Sequence, residues 1–399
     1  MPISMGFAKG DNSNALVKPA TLEFELFEGN NIRNWIGNNG QLVSHRPTGD
    51  AGLEWPAGSG KTAVFVSGIW VTGKVNHEIR SAAAEFTSEW TPGTIPYDTQ
   101  LKQPLYDVAP DTPLHQIYFI HQGNTSDPSS PDFKREYASW PASHGAPARD
   151  GEFYTDLNQN GSRDAGESFE DFNLDGEYNP PDGLFTTGED PPLFLGDHQA
   201  WWVMNDWSPE THQRLWSTPP LGLEAQVTVF NRTGDPVYEN VQFHYVKLVN
   251  KGGEYLDSVY YSYWNDADVG SAIDDFVGCD TTLDIGYMYN GRPYDQDYGI
   301  TAPAVGYCFL QGPVVASPGD SVSHHGEHFM GLKALGMTAH VKFTGSDPNF
   351  GDPENASEAF RIMQGLKGHY SQQWGGPYYE YLDPTKPTTP FLYPGDPVT

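Results

Sequence analysis

Apolar and polar residues alternate with a period of two along much of this chain. Leu22, Phe24 and Leu26 stand between Glu23 and Glu25, which predicts a strand with one wet face. The run AVFVSGIWVTGKV over 63–75 predicts one long strand, or a hairpin bending near Gly68. Further strands are predicted over 116–120, 225–230, 241–250, 258–264, 305–309 and 340–343, with NKGGEYLD turning the chain between the third and fourth of these. Helical periodicity is rare. ASEAFRIMQG over 356–365 is the best helix, with Asn355 or Ser357 as its cap and Gly365 as its stop. Short strands punctuated by Gly, Asn and Pro predict an all-β fold: an antiparallel β-sandwich, jelly-roll or immunoglobulin-like, with few helices. The expected organisation is a polar tail or arm over 1–20, then a sandwich region over 21–345 built as one large or two packed sandwiches. An extension over 346–399 carries the short helix and is expected to be truncated.

The alternation breaks over 145–192. DLNQNGSRDAGESFEDFNLDGEYNPPD holds two 12-residue loops with oxygen donors at calcium spacing. Asp156, Asn158, Asn160, Ser162, Asp164 and Glu167 take loop positions 1, 3, 5, 7, 9 and 12 in the first. Asp171, Asn173, Asp175, Glu177, Asn179 and Asp182 take them in the second. Gly161 and Gly176 fall at position 6, where the backbone must turn sharply. Calcium is a hard cation that takes 6–8 oxygens, so two such loops in tandem point to Ca2+ rather than to a plain solvated loop. The amphipathic helices that flank an EF-hand are missing from the sequence pattern. An EF-hand-like loop pair inserted between strands is therefore expected, with metal replacing a hydrophobic core as its organiser.

Composition changes the picture in two ways. The formal net charge is −30, from 52 Asp+Glu against 22 Lys+Arg, a field that repels nucleic acid and anionic membranes. Aromatic content of 14% predicts a core rich in Tyr, Phe and Trp. No apolar run is long enough for a membrane helix, and MPISMGFAKGDNSN lacks the apolar stretch of a secretory leader. Weak calcium loops fill outside cells, so the chain is expected to be a mature or trimmed exported form. Cys279 and Cys308 are the only cysteines, and either one disulfide or two free thiols fits them.

Other motifs carry less. GSGKT at 58–62 lacks the first glycine of a phosphate loop, since Trp55 occupies that position, and a β-type run follows it; a tight turn is the better reading. His324, His325, Glu327 and His328 form H-x-x-E-H, but Gly326 inside the motif favours a loop over the helix that zinc chemistry needs. Asp266, Asp268, Asp274, Asp275, Asp280 and Asp284 crowd into 19 residues. They fit a second metal cluster, a set of Asx turns, or paired carboxylates for glycoside hydrolysis. Trp201, Trp202, Trp207 and Trp216 suit a core, a sugar platform or an interface.

YWNDADVGSAIDDFVGCDTTLDIGYMYNG, YGITAPAVGYCFLQGPVV and the upstream NNGQLVSHRPTGDAGLEWPAGSGKTAVFVSGIWVTGKVNHEIR resemble recurrent blocks of large secreted proteins of Bacteroidetes-type bacteria. LGMTAHVKF, FRIMQGLKG and YPGDPVT resemble later segments of the same proteins. The resemblance implies export by type IX secretion and a surface life, and assigns no catalytic residue. The loop pair separately resembles those of dockerins and bacterial adhesin repeats. Export by this route implies O-glycosylation at Asp257-Ser258-Val259, Asp280-Thr281-Thr282 and Asp320-Ser321-Val322. The expected function is a non-enzymatic, calcium-stabilised structural or adhesive surface protein that self-associates into an oligomer, fibre or surface layer. The alternative is a secreted carbohydrate-binding or glycoside-hydrolysing module.

Overall fold

The computed structural model describes residues 22–95, 97–98, 100, 103–104, 112–123, 129–173, 175–324, 327–344, 351–368 and 376–395. The arm expected over 1–20 lies outside the described residues.

Two antiparallel sheets form the centre. In the first, Val66–Val75 pairs with Leu256–Asp266 along one edge and with Gln41–Val43 and Glu78–Ala83 along the other. The second runs Tyr118–His121, His198–Asn205, Leu223–Asn231, Gln242–Asn250, and Thr91–Pro92 pairs with the end of its second strand. One buried cluster joins the sheets. Ile69, Val71 and Val75 come from the first; Trp202, Met204, Ala225, Val227 and Val229 come from the second. The predicted sandwich is thus present, and its interior is the apolar face of both sheets.

Both outer faces are covered too. Trp70, Val66 and Ala83 meet Trp216 and the helix Ala356–Ile362. Trp201 and Val203 meet Leu114, Trp140 and Ala146 from the chain that leads into the insertion. This explains why Val66–Val75 is buried at nine of its ten positions (BBBBBBBBiB) instead of showing one wet face. Three-stranded and two-stranded satellites stand beside the sandwich: Asp275–Asp280, Ile285–Asn290 and Ala304–Cys308, then the hairpin Val314–His324 with Glu327–Ala334.

Two local expectations change. Gly68 marks no bend; it lies inside Val66–Val75, where an added Cβ would sit 2.1 Å from the Ala84 carbonyl oxygen. Glycine there permits a close backbone approach. The bend comes at Asn76 and His77, with φ of 50° and 71°, a two-residue turn into Glu78–Ala83. The strand expected over 340–343 is a single bridge, His340 to Phe391, because Phe343 is drawn onto Trp70 at 5.8 Å between ring centres. The helix begins as expected: Asn355 accepts from the Glu358 backbone N–H at 3.1 Å, and Gly365 follows its end with φ of 71°. A second short helix, Pro131–Glu136, is capped by Ser130 and is too short to show periodicity in the sequence.

Candidate metal centre

The insertion leaves the sandwich between Tyr118–His121 and His198–Asn205. Its neck is closed by a bridge from Ala148 to Pro192. Beyond the neck the chain has little hydrophobic burial, and alternate Asp and Asn side chains organise it by accepting from backbone N–H groups.

In the first loop, Asp156 Oδ2 accepts from Gly161 N–H at 2.8 Å, position 6 to position 1. Gly161 has φ of 77°. Asn158 accepts from Asn160 N–H at 3.0 Å and Asn160 accepts from Ser162 N–H at 2.8 Å, so each donor residue turns the next. Asp164 receives the side-chain amides of Asn158 and Asn160 at 2.6 and 2.8 Å. Glu167 closes the loop: one oxygen accepts from Leu157 N–H and the other from Asp164 N–H, each at 2.8 Å.

The second loop repeats these contacts. Asp171 Oδ2 accepts from Gly176 N–H at 3.0 Å, Asp175 N–H donates to Asn173 at 3.1 Å, and Glu177 N–H donates to Asp175 at 2.7 Å. Its closing carboxylate, however, is Glu152. Glu152 accepts from Phe172 N–H at 2.8 Å and from Asn179 N–H at 3.0 Å. These are positions 2 and 9, the same pair that Glu167 holds in the first loop. Asp182 has other partners: its N–H donates to Asp150 at 3.1 Å, and its carboxylate accepts from Leu184 N–H. Glu152 and Glu167 are 2% and 6% exposed, so both closing carboxylates are inside the insertion.

A short ribbon sets this exchange. Tyr154 bridges to Phe169, with Thr155 N–H to Ser168 O at 2.8 Å and Glu170 N–H to Phe153 O at 2.9 Å. The ribbon brings the residue before the first loop across to the second. Tyr154, Phe169 and Tyr178 pack edge to face around it, and Arg163 lies over Phe169 at 4.4 Å and over Tyr178 at 5.2 Å. The sequence held a signal for Glu152. EFYTDLNQNG and ESFEDFNLDG align residue for residue from Glu152 and Glu167, sharing Glu, Asp, Asn and Gly. The repeat begins at the glutamate, four residues before each loop's first aspartate, and a template that starts at that aspartate hides it.

The donor set is oxygen only and holds no nitrogen or sulfur ligand, which fits a hard cation such as Ca2+. Among the described residues, no group of three or more His, Cys, Asp or Glu side chains stands ready as a metal cage. The loop carboxylates are turned instead to backbone N–H groups, as above. Comparison of the chain with family models, curated proteins and solved structures finds no match.

The second acidic run divides in two. Asp266, Asp268, Asp274 and Asp275 lie within electrostatic reach of one another or of Asp295. Burial first, then neighbouring aspartates, pushes Asp266 and Asp275 up to about 6. Asp275 accepts from Val269 N–H at 2.8 Å, and Asp274 meets Arg292 at 3.7 Å. Asp295, which the sequence did not mark out, is fully buried and accepts from the N–H groups of Ser271, Asp297 and Tyr298. Asp280 and Asp284 stand apart, at the turn between Asp275–Asp280 and Ile285–Asn290. Asp280 accepts from the hydroxyl and N–H of Thr282, and Asp284 accepts from Met337 N–H at 3.0 Å.

Trp201 and Trp202 are fully buried and Trp216 is 8% exposed, so these three are core and offer no sugar platform. GSGKT is a turn: Trp55 N–H donates to Lys61 O at 2.9 Å, and Thr62–Val64 pairs back on Leu53–Glu54. In H-x-x-E-H, His324 and Glu327 end and begin the two strands of a hairpin, and His325 and Gly326 lie outside the described residues. Cys279 and Cys308 are free, one buried and one exposed. Among the described residues no helix is long and apolar enough to cross a membrane.

Proposed function

We propose that this chain is an exported, calcium-stiffened structural or adhesive protein without enzymatic activity, able to assemble with copies of itself. The single observation that supports it most is the reciprocal closure of the two loops by Glu167 and Glu152. Asp156, Asn158, Asn160, Ser162, Asp164 and Glu167 hold one Ca2+. Asp171, Asn173, Asp175, Glu177, Asn179 and Glu152 hold the other, with Asp182 at its margin. On loading, the carboxylates exchange backbone N–H groups for the cation, and the ribbon between the loops couples the two sites. Asp266, Asp268, Asp274 and Asp275, with Asp295, form the further cluster that a cation would relieve of repulsion.

The chemistry of the loops supports a place outside the cell. Loops built from short Asp and Asn donors in an exposed, polar setting suit the millimolar calcium of an exterior. The net charge of −30 and the resemblance to secreted proteins agree with that. The hydroxyls of Ser258, Thr281 and Ser321, in the three glycosylation triplets, are on exposed residues.

Calorimetric titration with Ca2+ and a melting curve with and without chelator test the reading. The expected result is two ions bound and a melting temperature that falls on chelation, since a ligand held only by the native state stabilises it by mass action. An unchanged melting temperature at saturating chelator would sink the proposal. Electron microscopy of the calcium-loaded protein reads assembly separately.

A further inference from the structure

The second sheet ends on an open edge. Gln242–Asn250 pairs with Leu223–Asn231 on one side only. No residue of it is buried, whereas eight of the nine in Leu223–Asn231 are. Lys251 N–H donates to Gly222 O at 2.9 Å, which fixes the alternation of this antiparallel ladder. Odd-numbered residues turn their N–H and C=O groups to Leu223–Asn231, and His244, Val246 and Leu248 turn theirs outward. Among the described residues these outward groups have no hydrogen-bond partner. The ladder has no register shift and the strand has no proline, two of the devices that spoil an edge for pairing. Val246 and Leu248, with Tyr261 and Tyr263 of the first sheet, are only partly buried against the shared cluster, so this side of the sandwich lacks a closing strand.

A hairpin of the same chain is equally unsupported. Val314–His324 and Glu327–Ala334 pair only with each other. Among the described residues, neither strand contributes to a buried cluster. Met330 is 73% exposed and Phe329 is 37% exposed. A lone two-stranded hairpin is at best marginally stable in water, so a further strand would stabilise it. Leu335 N–H donates to Pro313 O at 2.9 Å, so Leu332 and Ala334 present their N–H and C=O groups on the outer edge of the hairpin. These too have no hydrogen-bond partner among the described residues. The opposite edge is less free, because Gln311 Nε2 donates to Ser323 O at 3.2 Å.

We infer that Glu327–Ala334 of one copy pairs onto the open edge of Gln242–Asn250 in a second copy of this chain. The lengths match, eight residues against nine. The charges match as well. Each chain carries −30, so two copies repel over most of their surface. Gln242–Asn250 holds no acid and one lysine, Lys247, and the stretch 328–334 holds no acid and one lysine, Lys333. Each strand therefore brings a positive charge into the acidic field of the other copy. The hairpin does not pair with Gln242–Asn250 of its own chain, so the contact joins two chains. Donor and acceptor are different surfaces, which makes the contact head to tail. It leaves one donor and one acceptor open at the ends, and it can repeat into a fibre. The inference rests on the self-assembly in the reading above, names its contact, and does not require the loops to bind calcium.

Sedimentation velocity over a concentration series tests it. Val246→Pro removes an outward N–H from the acceptor, and Leu332→Pro removes one from the donor. The native chain is expected to form oligomers that lengthen with concentration. Each variant alone should associate at least tenfold more weakly. An equal mixture of the two should form heterodimers and go no further, since Val246→Pro still donates and Leu332→Pro still accepts. Leu332 lies outside the sandwich, so its variant keeps the test valid if Val246→Pro does not fold. Assembly untouched by Leu332→Pro overturns the inference and leaves self-assembly standing, and so does a mixture of folded variants that stays monomeric. A native chain that is monomeric at every concentration overturns both. Calcium stoichiometry is read in a separate titration, so failure here leaves the calcium proposal standing, and the reverse also holds.

Discussion

The sandwich and the insertion hold their chain by opposite means. In the sandwich, Trp70, Trp201, Trp202 and Ile69 are at or near zero exposure, and sheet pairing satisfies the backbone. In the insertion, Phe153, Leu157, Leu184 and Phe185 are exposed while Glu152 and Glu167 are buried. The usual arrangement of apolar inside and acid outside is reversed. Burying a carboxylate is costly unless it is hydrogen-bonded, and each of these two accepts from a pair of backbone N–H groups. One region is held by apolar burial and sheet pairing. The other is organised by carboxylates that accept from backbone N–H groups.

The largest expected effect breaks the sandwich alone. Trp202→Ala removes a fully buried indole from the cluster shared by both sheets, and it should cost about 3–5 kcal/mol of global stability in urea unfolding. Calcium stoichiometry of the folded protein should be unchanged. A loss of calcium binding in the folded variant would show that the two regions are not independent.

How much of this was legible depended on the range of the interaction. Period-two alternation places a strand, and the strands expected over 225–230, 241–250 and 258–264 appear as Leu223–Asn231, Gln242–Asn250 and Leu256–Asp266. Alternation cannot say what covers the second face. It therefore left Trp201 and Trp202 open between core and sugar platform, although one faces the sandwich and the other the turn around Trp140. The loops were legible because most of their contacts span two to six positions, and the longest, Leu157 N–H to Glu167, spans ten. Glu152 was not, because a ribbon between Tyr154 and Phe169 carries it 20 positions along the chain, to Phe172.

The next effect sharpens the insertion. Glu152→Gln keeps the shape but removes the charge that closes the second loop. It should lower calcium stoichiometry from two to one and remove the stabilisation that one ion supplies, about 2.7 kcal/mol at a hundredfold excess over its dissociation constant. Asp182→Asn should leave both ions bound. Calorimetric titration of the two variants decides between the residues. A drop to one ion in Asp182→Asn with two retained in Glu152→Gln would return the closing role to Asp182.

The smallest effect per step is a pH dependence that belongs to the sandwich side of the comparison, at Glu85 and Glu89. Burial first, then the charges of Asp352 and Glu89, raises Glu85 to about 7. Burial raises Glu89 to about 7 as well, against N–H groups of Trp216 and Ala83 and the His212 charge, which pull it down. An unfolded glutamate releases its proton near 4.5, so between that pH and about 7 the folded chain binds more protons. Stability contributed by these groups is complete below the unfolded value and is lost as pH rises through the folded one. From pH 5.5 to 6.5 each should cost the calcium-free protein about 1 kcal/mol. Urea midpoints in chelator should therefore fall across this step. Glu89→Gln, which keeps the neutral form at every pH, should flatten the fall; an unchanged slope in the variant would show that Glu89 does not set it.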